Sequence, residues 1–136
     1  MKKILTLHND IREIPQLSAF VESMAEEASL DMGVTMSLNL ALEEAVTNVM
    51  MYAYPEGTVG FVIVEASLEE GCLTFVLRDK GKPFDPTAAP EADITLGVEE
   101  RPIGGLGIFL VRQIMDTVRY VREGDENVLI LTKKTT

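Results

Sequence analysis

The sequence predicts an α+β fold, a two-layer sandwich in which helices cover one face of a mostly antiparallel, mixed sheet. Two observations support this prediction. The chain has 136 residues, enough for one domain (residues 1–136) with a sizeable hydrophobic core. Its periodic segments follow the order strand, helix, helix, strand, strand, long loop, helix, strand, strand, and this order is typical of helices packed on an antiparallel sheet.

The first half of the chain contains one predicted strand and two predicted helices. Residues 3–8 alternate weakly in polarity, which is typical of a short edge strand. Residues 14–30 have apolar side chains at helical spacing, and Pro15 suits the first turn of a helix. Asp31-Met32-Gly33 is expected to break this helix. A second helix is predicted from about 35 to 53, with a narrow apolar stripe formed by Leu38, Leu42, Ala45, Val49 and Ala53.

The second half is predicted to form two hairpins with a loop and a helix between them. Residues 60–68 and 72–79 are rich in β-branched and aromatic residues and are joined by a short turn. Two closing strands surround Gly124-Asp125, at about 118–122 and 128–132. The helix before them, at about 104–116, has an apolar face formed by Ile108, Val111, Ile114 and Met115.

Composition excludes several classes of protein. Hydrophobic residues make up 46% and charged residues 25%, the balance of a globular protein, and no apolar run reaches the roughly 18 residues of a membrane helix. The N-terminal apolar run is too short for a signal-peptide core, so we expect a cytoplasmic protein with no membrane partner. The single cysteine, Cys72, excludes an internal disulfide, and the single histidine, His8, excludes a two-histidine metal site.

The charge is strongly acidic and unevenly distributed. Twenty-two acidic residues oppose twelve basic ones, a formal net charge of −10. From Glu13 to Leu77 there are eleven acidic residues and no lysine or arginine. Such a surface repels a phosphate backbone, so we predict no nucleic-acid partner. Basic residues return from Arg78 onwards, and we expect any small anion to bind in this second half.

The first candidate site is a pair of polar residues on the long second helix. Glu44 and Asn48 are four residues apart, which places both side chains on one face, one turn from each other. A carboxylate and an amide oxygen so placed could hold a hard cation such as Mg²⁺, or combine a general base with a metal ligand. The alternative is an ordinary solvated helix face.

The second candidate is Asp79, at the end of a predicted strand. Leu73, Phe75 and Leu77 share its parity, so the Asp79 carboxylate should point to the apolar face of the sheet. A carboxylate there needs a partner, and a ligand amine would serve. Gly81, two residues later, would let a ligand approach the backbone. The alternative is an aspartate that only opens the turn at 79–82.

Two further features surround the third predicted helix. Gly104-Gly105-Leu106-Gly107 opens this helix, and exposed N–H groups at a helix N-terminus can bind phosphate. The alternative is a flexible hinge. Residues 80–103 contain four of the six prolines and no sustained period, so this long loop is either a lid over a ligand or a disordered surface loop.

The order and spacing of these features resemble a known superfamily. Glu44-Ala45-Val46-Thr47-Asn48, Asp79-Lys80-Gly81 and Gly104-Gly105-Leu106-Gly107 are similar to the N, G1 and G2 boxes of the gyrase, heat-shock chaperone, histidine kinase and MutL ATPases. The longer strings at 42–48, 81–86 and 104–108 resemble the bacterial anti-sigma-factor serine/threonine kinases. The resemblance covers nearly the whole chain and implies a Bergerat-type ATP-binding fold with an ATP lid at about 82–103.

The resemblance implies roles for the residues of the first two sites. Asn48 would coordinate the Mg²⁺ that bridges the ATP phosphates. Asp79 would accept a hydrogen bond from the adenine amino group, with Gly81 beside the base. Glu44 would be the catalytic general base that takes the proton from the attacking hydroxyl.

The resemblance also implies a phosphate-binding role for the third site. Gly104, Gly105, Leu106 and Gly107 would bind the ATP phosphates through their backbone. Arg101, in the lid, either reaches the γ-phosphate as a charge stabiliser or is an ordinary surface residue.

At the level of activity, the resemblance implies an ATP-dependent protein serine/threonine kinase and anti-sigma-type regulator. Its substrate would be a small antagonist protein of the anti-anti-sigma type that carries a target serine. A sigma factor is a further candidate partner. The resemblance also implies a homodimer. The alternative function is a non-catalytic, ATP-dependent protein-binding switch. One position departs from the family pattern: Asn127-Val128 stands where members often carry threonine, which leaves the role of this position open.

Overall fold

Five strands form one antiparallel sheet in the computed structural model, which describes residues 1–88 and 105–135. The strands are β1 (Lys2–His8), β2 (Phe61–Glu69), β3 (Cys72–Asp79), β4 (Thr117–Glu123) and β5 (Glu126–Lys134). Their order across the sheet is β1-β2-β3-β5-β4, and all four neighbouring pairs are antiparallel. The predicted α+β class is confirmed. The described strands contain no parallel pair, so the sheet is antiparallel throughout and not mixed. The chain leaves β3 through α3 to the edge strand β4, and β5 then returns to lie between β3 and β4.

Three helices pack together on one face of this sheet. They are α1 (Ile14–Glu27), α2 (Met32–Tyr52) and α3 (Gly105–Ile114), and α2 packs against both of the others. Short 3-10 turns precede α1 at Ile11–Glu13 and lie at Pro86–Ala88. The order of elements agrees with the order predicted from periodicity. In the described part of the chain, no helix combines the length and hydrophobicity that a membrane crossing requires.

The junction between α1 and α2 differs from the predicted break. The first helix ends at Glu27, because Ser29 adopts a left-handed conformation (φ +56°) and the Leu30 N–H bonds back to the carbonyl of Ala25. The second helix begins at Met32, three residues earlier than expected. The Asp31 carboxylate caps it by accepting a hydrogen bond from the Val34 N–H at 2.8 Å, so the predicted breaking segment is in fact a helix start.

The core lies between the helices and the face of the sheet that they cover. Alternate residues of β3 are buried, and β2 shows the same alternation. On β5 three successive residues, Asn127, Val128 and Leu129, are buried, and Leu131 follows them. The apolar stripe predicted on α2 is buried along its whole length, as is most of the predicted apolar face of α3. Burial of this apolar area is the main favourable term in folding. The largest fully buried side chains are Phe75, Leu7, Leu17, Met24, Leu38, Leu42, Leu73, Leu77, Ile108 and Leu131.

Candidate functional site

Only three polar or charged residues are buried in the described part of the chain, and all three bear on the candidate site. They are Asn48 on α2, Asp79 at the end of β3 and Asn127 on β5. Buried polar groups cost free energy unless they find partners, so such positions in an otherwise apolar core need an explanation.

Asn48 is buried and Glu44 is half-buried, one turn apart on α2. Asn48 retains only 8% of its accessible surface, next to the buried stripe residue Val49. An ordinary solvated helix face, the alternative raised for this pair, therefore does not describe Asn48. The half-buried Glu44 is partly open to solvent, as a group that exchanges a proton with a second molecule must be.

The Asp79 carboxylate points into the core side of the sheet, as strand parity predicts. Its exposure is only 4%. One oxygen, Oδ1, accepts hydrogen bonds from the Gly81 N–H and from Asn127 Nδ2, both at 2.9 Å. Burial raises the pKa of Asp79 above its ordinary value, and the hydrogen bonds from Asn127 and Gly81 oppose that rise. No described group donates to the second oxygen, Oδ2, which leaves this oxygen as an acceptor for a ligand.

Gly81 is required by the packing of α2 against the turn after β3. A Cβ at this position would lie 2.3 Å from the Ala53 carbonyl oxygen. The neighbouring Lys82 N–H donates to the same oxygen at 2.8 Å. The missing side chain therefore makes room for the C-terminal end of α2. This contact brings Asp79 close to α2, and Asn48 lies about 7.5 Å along the helix axis from Ala53. The predicted place of Gly81 beside a bound base stays a prediction.

Replacing Gly81 with alanine should destabilise the protein. The added methyl group meets backbone atoms that cannot rotate away, and overpacking of this kind costs about 1–3 kcal/mol. A lower midpoint of urea denaturation would show it. The matched control is Gly33→Ala in α2, where the nearest atom to the new Cβ is 3.5 Å away. That control should be neutral or stabilising by up to about 1 kcal/mol, and an equal loss in both variants would contradict the packing explanation.

Asn127 is the site residue whose role the sequence left open. It lies directly opposite Asp79 in the register of β3 and β5, and only 3% of it is exposed. Its amide contacts Asp79, the backbone at Lys82 and Phe84, and the side chains of Tyr120 and Arg122. The parity argument used for Asp79 could have found it, because Asn127 shares its side of β5 with the buried Leu129 and Leu131.

Arg122 completes the polar network around the turn after β3. Its Nη1 donates to the Gly81 carbonyl oxygen at 2.9 Å and to Asn127 Oδ1 at 3.2 Å. This contact holds the Gly81 peptide in addition to its packing against α2. No pattern in the sequence points to Arg122, because its partner is a backbone atom 41 residues away.

Some of the remaining predicted site residues lie in the described part of the chain and others do not. Gly104, Arg101 and most of the predicted lid at about 82–103 lie outside the described residues. The backbone of α3 begins at Gly105, so the run Gly105-Leu106-Gly107 does open a helix, as predicted. Ile108, one turn in, is buried against the core. The phosphate-binding role of these glycines and of Arg101 stays a prediction.

A catalytic metal would have few protein ligands here. Among residues 1–88 and 105–135, no three histidine, cysteine, aspartate or glutamate side chains come together in a metal-binding cluster. Mg²⁺ is commonly held by one or two protein oxygens together with substrate phosphates and water. A buried amide at Asn48, which needs a polar partner, fits that pattern.

Comparison with known proteins identifies the family of this chain. The sequence matches the histidine kinase-like ATPase domain family over residues 7–133. Similar curated proteins include the serine-protein kinases RsbW of Bacillus cereus (strain AH820) and Bacillus thuringiensis (strain Al Hakam), each 32% identical over 101 residues. Each match covers 71% of this chain and 61% of the relative, so the chain spans about three fifths of the length of these relatives.

Solved structures share the fold at lower sequence identity. The structure of the RsbU and RsbW domains of Rv1364c from Mycobacterium tuberculosis matches with a TM-score of 0.69 at 16% identity, covering 98% of this chain and 32% of that one. The histidine kinase domain from the Erythrobacter litoralis EL346 blue-light activated histidine kinase matches with a TM-score of 0.57 at 14% identity. This match covers 92% of this chain and 60% of that one. With its family match, its RsbW relatives and its fold in agreement, the chain belongs to the histidine kinase-like ATPase domain family.

Proposed function

We propose that this chain binds ATP and transfers its γ-phosphate to a serine of a small antagonist protein. The observation that carries the proposal is the Asp79 carboxylate, only 4% exposed and held through one oxygen by two donors. The second oxygen is then turned toward a ligand with an N–H donor, such as the adenine amino group. Its family membership and its similarity to proteins named serine-protein kinase RsbW support this choice of nucleotide and reaction.

Asn48 is proposed as the protein ligand of Mg²⁺. When bound, the ion would neutralise part of the charge on the ATP phosphates. The Asn48 side chain is nearly buried on α2, so its oxygen has a fixed position from which to orient the phosphates. Backbone N–H groups at Gly104, Gly105, Leu106 and Gly107 are proposed to bind the same phosphates, with Arg101 as a candidate charge stabiliser.

Glu44 is proposed as the general base. The serine oxygen of the partner forms a bond to the γ-phosphorus while the bond from this phosphorus to the β,γ-bridging oxygen breaks, which releases ADP. The serine proton passes to the Glu44 carboxylate, four residues before Asn48 and on the same side of α2. With these roles, the proposed base would lie beside the proposed metal ligand, where the serine hydroxyl must approach.

The proposed partners follow from the resemblance of the three motifs to those of the anti-sigma-factor serine/threonine kinases. An antagonist protein of the anti-anti-sigma type is the proposed substrate, and a sigma factor is the proposed regulated partner. A homodimer is the proposed assembly. The acidic stretch from Glu13 to Leu77, which contains both α1 and α2, favours a partner surface with positive charge.

Incubation with γ-labelled ATP, Mg²⁺ and a candidate antagonist encoded nearby tests this proposal. We expect label on one serine of the antagonist, and no label when that serine is replaced by alanine. Tight ATP-dependent association without any label would instead support the alternative, a non-catalytic protein-binding switch.

A further inference from the structure

We propose that Asn127 is a positioning residue that orients the Asp79 carboxylate for base recognition and ties the start of the following loop, residues 82–84, to that carboxylate. The inference rests on the proposed role of Asp79 in binding the base. It adds a residue at the position where this chain departs from the family pattern.

Both the nitrogen and the oxygen of the Asn127 amide have hydrogen-bond partners. Its Nδ2 donates to Asp79 Oδ1 at 2.9 Å and to the Lys82 carbonyl oxygen at 2.8 Å. Its Oδ1 accepts from the Phe84 N–H at 3.1 Å and from the side chains of Tyr120 and Arg122. The partners fix which end is nitrogen, because a carbonyl oxygen only accepts hydrogen bonds and a backbone N–H only donates them.

The contact with Asp79 determines which carboxylate oxygen is presented to the ligand. With Asn127 Nδ2 and the Gly81 N–H both on Oδ1, rotation of the carboxylate would break two hydrogen bonds in a buried site. The donor also stabilises the ionised form of Asp79 against the effect of burial. Asn127 thus fixes the orientation that base recognition needs and opposes the effect of burial on the charge of Asp79.

The Asn127 amide also contacts residues 82–84, where the predicted lid begins. Lys82 is held at both ends of its backbone, since its N–H donates to Ala53 and its carbonyl accepts from Asn127. Phe84, two residues later, donates to the other end of the amide. A nucleotide base that hydrogen-bonds to Asp79 should therefore stabilise these hydrogen bonds and slow the transient breaking of those to residues 82–84.

The isosteric variant Asn127→Asp provides a sharp test. It keeps the shape and removes both N–H donors, so a second carboxylate faces Asp79. We expect the dissociation constant for ATP, measured by calorimetry at pH 8, to rise roughly 10- to 100-fold relative to wild type. As the pH falls to 5.5, a proton shared by the two carboxyl groups can restore a donor to Asp79, so the ratio of variant to wild-type dissociation constants should shrink.

The matched control is Asn9→Asp, which also removes a bridging amide but one whose hydrogen bonds do not reach Asp79. Asn9 joins Thr58 and Gly60 through the same pair of contacts, a donated and an accepted backbone hydrogen bond. This control should bind ATP as wild type does at every pH. A variant-to-wild-type ratio near one for Asn127→Asp, or a ratio that does not change with pH, would overturn the positioning role. Failure of wild type to bind ATP would instead refute the proposed function.

Hydrogen exchange tests the loop contact without depending on how well that variant folds. ATP should slow exchange of the Phe84 amide in the wild-type protein by several-fold. The Val34 amide, which also bonds to a side-chain oxygen but at the distant start of α2, should not respond. Unchanged exchange at Phe84 in protein saturated with ATP would overturn the coupling between the base and the loop.

Discussion

Replacing Glu44 with glutamine should lower the rate of phosphate transfer by roughly 100- to 10,000-fold, the usual contribution of a general base. The amide has the same shape as the carboxylate and cannot take the serine proton. Because Glu44 is not proposed to touch the base or the metal, ATP affinity should change by less than about threefold. Single-turnover transfer to the antagonist, with ATP binding measured in parallel, separates the two effects.

The neighbouring glutamate provides the control for this experiment. Glu43 is also half-buried on α2, but its carboxylate accepts a hydrogen bond from Ser18 Oγ at 2.7 Å in the contact between α1 and α2. Glu43→Gln should leave transfer close to wild type, with at most a small loss of stability. Equal rates in Glu44→Gln and wild type would remove Glu44 as the base, and alanine at position 44 should give the same loss as glutamine.

Replacing Asp79 with asparagine should weaken ATP binding by at least about tenfold. The new amide oxygen can still accept from Gly81 and Asn127, which turns the new NH₂ group toward the ligand. Two donors would then face each other across the site, at a cost of roughly 1.5–3 kcal/mol or more. Inosine triphosphate, which presents an oxygen where adenine has its amino group, should bind the variant better than ATP does. Equal ATP affinity in variant and wild type would refute the assignment of Asp79 to the base.

The same substitution has a predictable effect on folding stability. Burial raises the pKa of Asp79, so the folded protein holds this proton more tightly than the unfolded chain does. Ionisation of Asp79 therefore costs stability as the pH rises from the ordinary carboxyl range, about 4, through the raised pKa. The asparagine side chain does not ionise and so escapes this loss. The difference in free energy of unfolding, Asp79→Asn minus wild type, should therefore be more positive at pH 7 than at pH 3. Urea denaturation at both pH values measures this difference and also shows that the variant folds.

Local sequence patterns predicted most of the fold because the elements carry strong periodic signals. Strand parity correctly placed Asp79 on the buried side of β3, and the apolar stripe on α2 is buried as expected. The boundary of α2 was missed because the Asp31 side chain acts as a cap, a contact that composition alone does not distinguish from a helix break.

The parts of the site that the sequence did not predict depend on contacts between distant segments. Gly81 faces Ala53, and Asn127 reaches Asp79 across 48 residues of sequence. The register of β3 against β5 decides which residue lies opposite Asp79, and a one-residue shift would replace Asn127 by a neighbour of opposite orientation. Such a register is set by the whole sheet, so no single motif reports it.

Calorimetric titration of the wild-type protein with ATP in the presence of Mg²⁺ tests most directly whether this fold holds a nucleotide. We expect saturable heat with one nucleotide per chain, a higher melting temperature in the complex, and a much smaller signal for inosine triphosphate than for ATP. No heat and no change in melting temperature at millimolar ATP would contradict the account as a whole.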